Sequence, residues 1–165
     1  MKWFSLPDKA PSGLDSPVTA KAIKYLAKAQ VAIFVRTNGR VGSKWRIGAA
    51  FRKPVSTLLL EHRGRRSGRV YTTPLLYLRS DGEDLVIVAS QGRLPKHPQW
   101  YFNLLAHPEV QVHLKGRRNV PVTARVASAE ERDDLWPQLV DLYADFAKYQ
   151  AWTQRAIPVV LLTPR

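Results

Sequence analysis

The sequence predicts an α+β fold, a mainly antiparallel sheet with flanking helices. Three observations carry it. From Val55 to Leu162, short apolar runs follow one another with turn signals between neighbours, as antiparallel strands do. Helical periodicity is confined to an N-terminal stretch and a few short segments, so no regular βαβ alternation is present. No GxGxxG follows a strand and no Walker Lys-Ser/Thr pair occurs, which leaves nucleotide folds of those kinds unsupported. A sheet of this kind avoids exposed edges most simply by closing into a small barrel.

Residues 1–16 carry Pro7, Pro11 and Gly13 without periodicity and read as an extended arm. Ser16 is a helix cap and Pro17 a first helical residue. Val18, Ala22, Leu26, Ala29 and Ile33 then recur at helical spacing, with Lys21, Lys24 and Lys28 on another face. The stripe predicts packing on the domain behind a solvated lysine face. Lysines beside such a stripe also suit an anionic membrane surface. Residues 39–54 form a basic loop around Trp45 and Phe51, so 17–53 reads as helix plus loop and 54–165 as the sheet domain. Strands are expected at Val55 to His62, Val70 to Arg79 and Asp84 to Ser90, with a hairpin turn at Ser80 to Glu83. Pro98 to Ala106 reads as a short helix. Val110 to Leu114 and Asn119 to Val126 are a further strand pair. Ser128 and Glu131 have capping-box spacing, opening a helix that carries Leu135, Trp136, Leu139, Val140 and Tyr143. A second helical stretch covers Phe146 to Arg155, and Ile157 to Leu162 is a closing strand.

A chain of 165 residues can bury a real core as one domain. It has no cysteine, which excludes disulfides, thiolate metal sites and cysteine nucleophiles. His62, His97, His107 and His113 lack ligand spacing with carboxylates, so no metal site is expected. No stretch reaches the ~18 to 20 apolar residues of a membrane span, and no signal peptide opens the chain, so the cytoplasm is the expected compartment. The net charge is +13, from 26 Lys+Arg against 13 Asp+Glu, an excess that favours an anionic partner. The basic residues are spread from Lys2 to Arg165 rather than gathered on one element, which argues against nucleic acid.

Leu58 to Asn103 is the stretch with chemistry. Gly64-Arg65-Arg66-Ser67-Gly68 offers flexible backbone, exposed amides and guanidinium forks together, the set that binds phosphate or carboxylate. Tyr71, Thr72, Thr73 and Pro74 follow it. A second loop, Ala89 to Arg93, runs into Lys96-His97-Pro98-Gln99-Trp100-Tyr101-Phe102-Asn103.

These segments resemble two signatures of the deazaflavin-dependent nitroreductase family. Asp141 through Tyr143, Tyr149-Gln150, Trp152-Thr153, Arg155 and Ile157-Pro158-Val159 is similar to a third. The resemblance implies a split β-barrel like that of FMN-binding reductases, and reduced coenzyme F-420 as cofactor, with FMN and haem ranked behind it. That coenzyme carries a phosphate and an oligoglutamate tail. By the resemblance, Arg65, Arg66, Ser67 and Gly68 hold the phosphate or tail. Tyr71, Thr72, Thr73, Pro74, Leu75 and Leu76 run beneath the ring. Val88, Ala89, Ser90 and Gln91 meet its edge, and Gln99, Trp100 and Asn103 close the site from the short helix. Tyr143, Phe146 and Tyr149 form the substrate wall, with Ser90, Tyr143 and Tyr149 as catalytic candidates. The chain departs from the family pattern at Gln91 (usually Lys), Arg93 (Gly), Tyr71 (Arg) and Phe146 (Tyr).

The implied function is an oxidoreductase passing hydride from reduced F-420 to a quinone-like or nitroaromatic acceptor. A non-catalytic split-barrel carrier of haem, fatty acid or another hydrophobic ligand is the alternative, drawing on the departures. Split-barrel relatives pair through the sheet, so a homodimer is expected. The N-terminal helix leaves open peripheral contact with the inner face of the plasma membrane.

Overall fold

The eight strands of the sheet follow from alternation that buries both faces. They are β1 (Lys44–Trp45), β2 (Val55–Arg63), β3 (Val70–Leu76), β4 (Leu78–Arg79), β5 (Leu85–Val88), β6 (Glu109–Leu114), β7 (Arg117–Val126) and β8 (Val159–Pro164). Among the described residues four α-helices accompany them: α1 (Pro17–Arg36), α2 (Gln99–Ala106), α3 (Ala129–Leu142) and α4 (Asp145–Ala151). The structure is a computed structural model and describes residues 16–46, 48–51, 53–90 and 96–165. The expected arm up to residue 15, together with Gln91 and Arg93, lies outside the described residues.

The strand order is β1-β2-β6-β7-β8-β5-β4, with β3 paired to β2, and every pairing is antiparallel. This is a split barrel. The expected strand Val70 to Arg79 is divided at Tyr77: β3 stays with β2, whereas β4 leaves to pair with β5. Among the described residues no pairing joins β3 to β5: the free edge of β3 faces the end of β5, where Ile87 and Val88 lie beyond the β4 pairing, and this split in the sheet is a slot between the two strands. The change of partner leaves no mark in composition, which is why the sequence reads as one strand.

Successive residues of a strand face opposite sides, and here both sides are covered. Leu85 and Ile87 of β5 join Leu58, Leu60, Val112, Val122 and Leu162 inside the barrel, closed by Trp100 and Leu104 of α2. Val86 and Val88 point the other way, into a second core with Val55, Leu139, Tyr143, Phe146 and Ile157. Each such fully buried aliphatic contributes on the order of 1.5–3 kcal/mol. The capping box holds: Ser128 Oγ accepts from Glu131 N–H, and the Glu131 carboxylate accepts from Ser128 N–H. The hydrogen bond from Arg125, then that backbone N–H, hold the Glu131 carboxyl at about 2.

The N-terminal helix departs from expectation. Ser16 caps it as expected, but Val18, Ala22, Leu26, Ala29 and Ile33 do not pack on the domain. Val18 and Leu26 are 75% and 70% exposed, and Ala22 and Ala29 are exposed too. Contact comes from the opposite side near the C-terminal end, where Phe34 is buried. Gly39 makes that contact possible, because at φ +74 a Cβ would stand 2.7 Å from Lys115 Cα and 3.1 Å from the Phe34 ring. Periodicity finds a stripe but does not say what covers it.

Candidate functional site

The 64–68 loop bridges β2 and β3, whose register ends at Arg63 opposite Val70. Gly64 N–H donates to Arg69 O at 2.7 Å and Gly68 N–H to Gly64 O at 2.8 Å, with Gly68 at φ +67. A Cβ on Gly64 would meet Ser67 Oγ at 2.6 Å and Tyr71 Cε2 at 2.8 Å, so any other residue there would displace both side chains. Ser67 Oγ lies 3.2 Å from the Tyr71 hydroxyl and accepts from Arg69 N–H. Tyr71 thus steadies the loop at a position where the family has Arg.

Arg65 is held from α2. Its backbone N–H donates to Asn103 Oδ1 at 3.1 Å, while Nη1 donates to Asn103 Oδ1 at 3.2 Å and to Gln99 Oε1 at 3.1 Å. The guanidinium sits 5.0 Å from the Phe102 ring centroid. Among the described residues, the side chain of Arg66 and the amides of Arg66 and Ser67 have no partner, and no carboxylate lies within ion-pair distance of Arg63, Arg65, Arg66 or Arg69. A cationic loop with free amides and no internal counter-charge fits an anionic group such as a phosphate.

The strand behind the loop divides its residues. Tyr71, Thr73 and Leu75 face the barrel interior alongside His62, Leu60 and Leu58. Thr72, Pro74 and Leu76 face outward. Thr72 lines a groove of about 280 Å³ with Glu61, His113, Phe34 and Arg118, on the far side of the sheet from Thr73. The six residues therefore do not form one floor: Tyr71, Thr73 and Leu75 lie on one face of the sheet and Thr72, Pro74 and Leu76 on the other.

Across the slot, Ala89 packs in the barrel core and Val88 in the outer core. The Ser90 hydroxyl has no hydrogen bond among the described residues. Arg155 donates to Ser90 O at 2.8 Å, to Ala89 O at 3.4 Å and to His97 Nδ1 at 2.9 Å. It thereby ties the chain's third motif to its second. Burial, then Arg155, push His97 below its ordinary value, so it accepts here as a neutral ring.

Trp100 does not close the slot. Its indole is 7% exposed within the barrel core, because the buried face of α2 runs through Trp100, Asn103 and Leu104 while Gln99 is exposed. Tyr143 and Phe146 are buried in the outer core against Val86, Val88 and Ile157, with Tyr149 half-buried beside them. The three rings touch at centroid distances of 5.1 to 6.3 Å. Burial first, then the neighbouring Tyr149 hydroxyl, raise the Tyr143 phenol; burial raises that of Tyr149. Both hold their protons at neutral pH.

Residues that sequence reasoning assigned no role are His62, Phe102 and Arg155. His62 was detectable: alternation along β2 places it on the interior face with Leu58 and Leu60. Among the described residues no cluster of His, Asp and Glu suits a metal ion.

With this geometry in place, comparison with known proteins is decisive. The family model described as F420H(2)-dependent quinone reductase matches residues 26–164. The chain belongs to this family. A Mycobacterium tuberculosis protein that carries the same name provisionally is 51% identical over 120 residues, covering 73% of this chain and 99% of the relative. A solved F-420-dependent reductase is 36% identical, with a TM-score of 0.57 over 64% of this chain and 92% of its own. A solved domain-swapped dimer, 29% identical, reaches 0.62 over 86% of this chain and 98% of its own. Membership in a quinone reductase family makes the chain an oxidoreductase and sets the carrier alternative aside.

Proposed function

We propose that this quinone reductase family member uses the slot between β3 and β5 to bind reduced F-420, with the Gly64–Gly68 loop as its anion clamp. The observation that carries the reading is the clamp: Arg65 pre-oriented by Gln99 and Asn103 and, among the described residues, Arg66 and two amides without partners and no carboxylate near. When bound, the reduced deazaflavin supplies hydride to an acceptor stacked on its ring.

The chain's own residues do the rest. Arg65 and Arg66 bind phosphate or tail oxygens through paired N–H donors, and the Arg66 and Ser67 amides complete the cage. The Ser90 hydroxyl, free beside the slot, orients the ring edge, its backbone pinned by Arg155. Apolar walls on both sides exclude water and favour a flat, lipid-soluble acceptor. Tyr149 keeps a proton near the outer wall and is the better placed donor; Tyr143 is deeper and backs it. A quinone is the acceptor that the family description names; a nitroaromatic suits the same flat slot. The direct test is anaerobic oxidation of reduced F-420 by a menaquinone analogue.

The exposed stripe of α1 lies beside Lys21, Lys24 and Lys28, and α1 contains no acidic residue. Apolar side chains flanked by cations suit an anionic bilayer at the inner face of the plasma membrane. No described helix is long and apolar enough to cross a membrane. The full chain is expected to sediment with vesicles containing anionic lipid, weakening with salt, and Ile23→Glu with Leu26→Glu to abolish this. Wild-type protein left in the supernatant at low salt would remove the idea. A homodimer, as in the domain-swapped relative, completes the reading; a monomer mass by light scattering would remove that part.

A further inference from the structure

His62 takes no part in the clamp or the acceptor wall, yet it is the buried centre of the rim. It is 5% exposed on the interior face of β2. Its Nδ1 lies 3.0 Å from Asn103 Nδ2 and its Nε2 3.0 Å from Thr73 Oγ1. The direction of each bond is fixed by its neighbours. Asn103 Oδ1 accepts from two Arg65 groups that can only donate, so the amide nitrogen is the atom turned to His62. That nitrogen donates, so His62 Nδ1 is bare and Nε2 carries the proton. Nε2–H then donates to Thr73 Oγ1, and the Thr73 proton points elsewhere. Among the described residues the Thr73 hydroxyl has no other partner, and Thr73 lies on β3, the strand that borders the slot.

Resting on the F-420 reading above, we propose that His62 is a positioning residue that makes Thr73 a hydrogen-bond donor to the bound cofactor. The atom it selects is an acceptor, a carbonyl or phosphoryl oxygen. Through Asn103 the same imidazole ties that donor to the Arg65 loop, so clamp and ring contact are set together. Tyr71 stacks on the His62 ring at 5.9 Å and seals it from the rim. Burial lowers the imidazole from its ordinary 6.5 to about 4, so the ring stays neutral at neutral pH. Protonation would set an Nδ1–H against the Asn103 amide hydrogens.

Two readouts test this. In cofactor-free protein at neutral pH, ¹⁵N NMR should report His62 as the Nε2–H tautomer; an Nδ1–H tautomer overturns the proposal. In F-420 titrations, His62→Leu and Thr73→Val should each raise Kd about 10-fold, the scale of one lost hydrogen bond. The double variant should be no worse than either alone, and Thr73→Ser should match wild type. A purely structural His62 gives additive losses, which would overturn the proposal. Should His62→Leu fail to fold, the serine and valine variants at Thr73 decide: equal affinities overturn it. If wild-type protein binds no F-420, the functional reading fails, while the tautomer still judges the geometry.

Discussion

Replacing Arg65 and Arg66 together by alanine lowers the affinity for F-420 by about 100-fold or more. Each charge-assisted pair to a phosphate or carboxylate oxygen contributes on the order of 1.5–3 kcal/mol, and two such groups are lost. The two arginines are not equivalent. Arg66 has no partner among the described residues, so Arg66→Ala removes charge and little else. Arg65 also holds Gln99 and Asn103 on α2 and lies over Phe102, so its loss loosens the rim as well. Arg65→Ala is therefore the more damaging single change, and its effect is less sensitive to salt. Fluorescence titration of F-420 at low and moderate salt reads both effects. Arg66 is exposed, so Arg66→Ala alone should barely move the melting temperature. An unchanged Kd in the double variant would show that the anion is held elsewhere.

Asp145→Ala destabilises the fold by about 2–3 kcal/mol, a drop of roughly 5–10 °C in melting temperature. Asp145 is 2% exposed, and its Oδ2 accepts from Ala49 N–H at 2.8 Å. That bond joins the start of α4 to the short 3-10 turn at Gly48–Phe51, close to Trp45 and Val55 of the outer core. Alanine leaves the part-buried Ala49 amide without an acceptor as well as losing the bond. Asp145 also begins α4, which carries Phe146 and Tyr149 of the proposed acceptor wall, so turnover should fall with stability. Asp145→Asn keeps an acceptor oxygen and should recover most of the loss. Calorimetry showing equal melting for wild type and Asp145→Ala would refute the assignment.

Most of the fold was legible because local signals agreed with tertiary demand. Ser16 and Ser128 cap the helices they precede. The Ser80–Glu83 turn forms, with Ser80 N–H donating to Asp84 O and Glu83 at φ +69. Three features escaped. The two-residue strand β1 was read as basic loop, since Lys44 and Trp45 alone carry no period. The break at Tyr77 was hidden because a change of strand partner alters no residue pattern. The outward stripe of α1 was assigned to packing, since periodicity measures amphipathicity and not what covers it. At the site, the Gly64–Gly68 loop announced its chemistry through composition. Thr72 and Thr73, adjacent in sequence, lie on opposite faces, which alternation foretold once β3 was placed. Trp100 was drawn into the core by its area. The His62 network was out of reach because it joins residues some forty positions apart, His62 to Asn103, whose proximity only the fold creates.

In the proposed function, this slot and clamp hold F-420 for hydride transfer to a quinone. The measurement is anaerobic mixing of protein, reduced F-420 and a menaquinone analogue, following the return of oxidised F-420 absorbance. Recovery should require both protein and quinone, saturate with reduced F-420, and collapse in the Arg65→Ala, Arg66→Ala double variant. Recovery at the same rate without protein, or undiminished in the double variant, would contradict it.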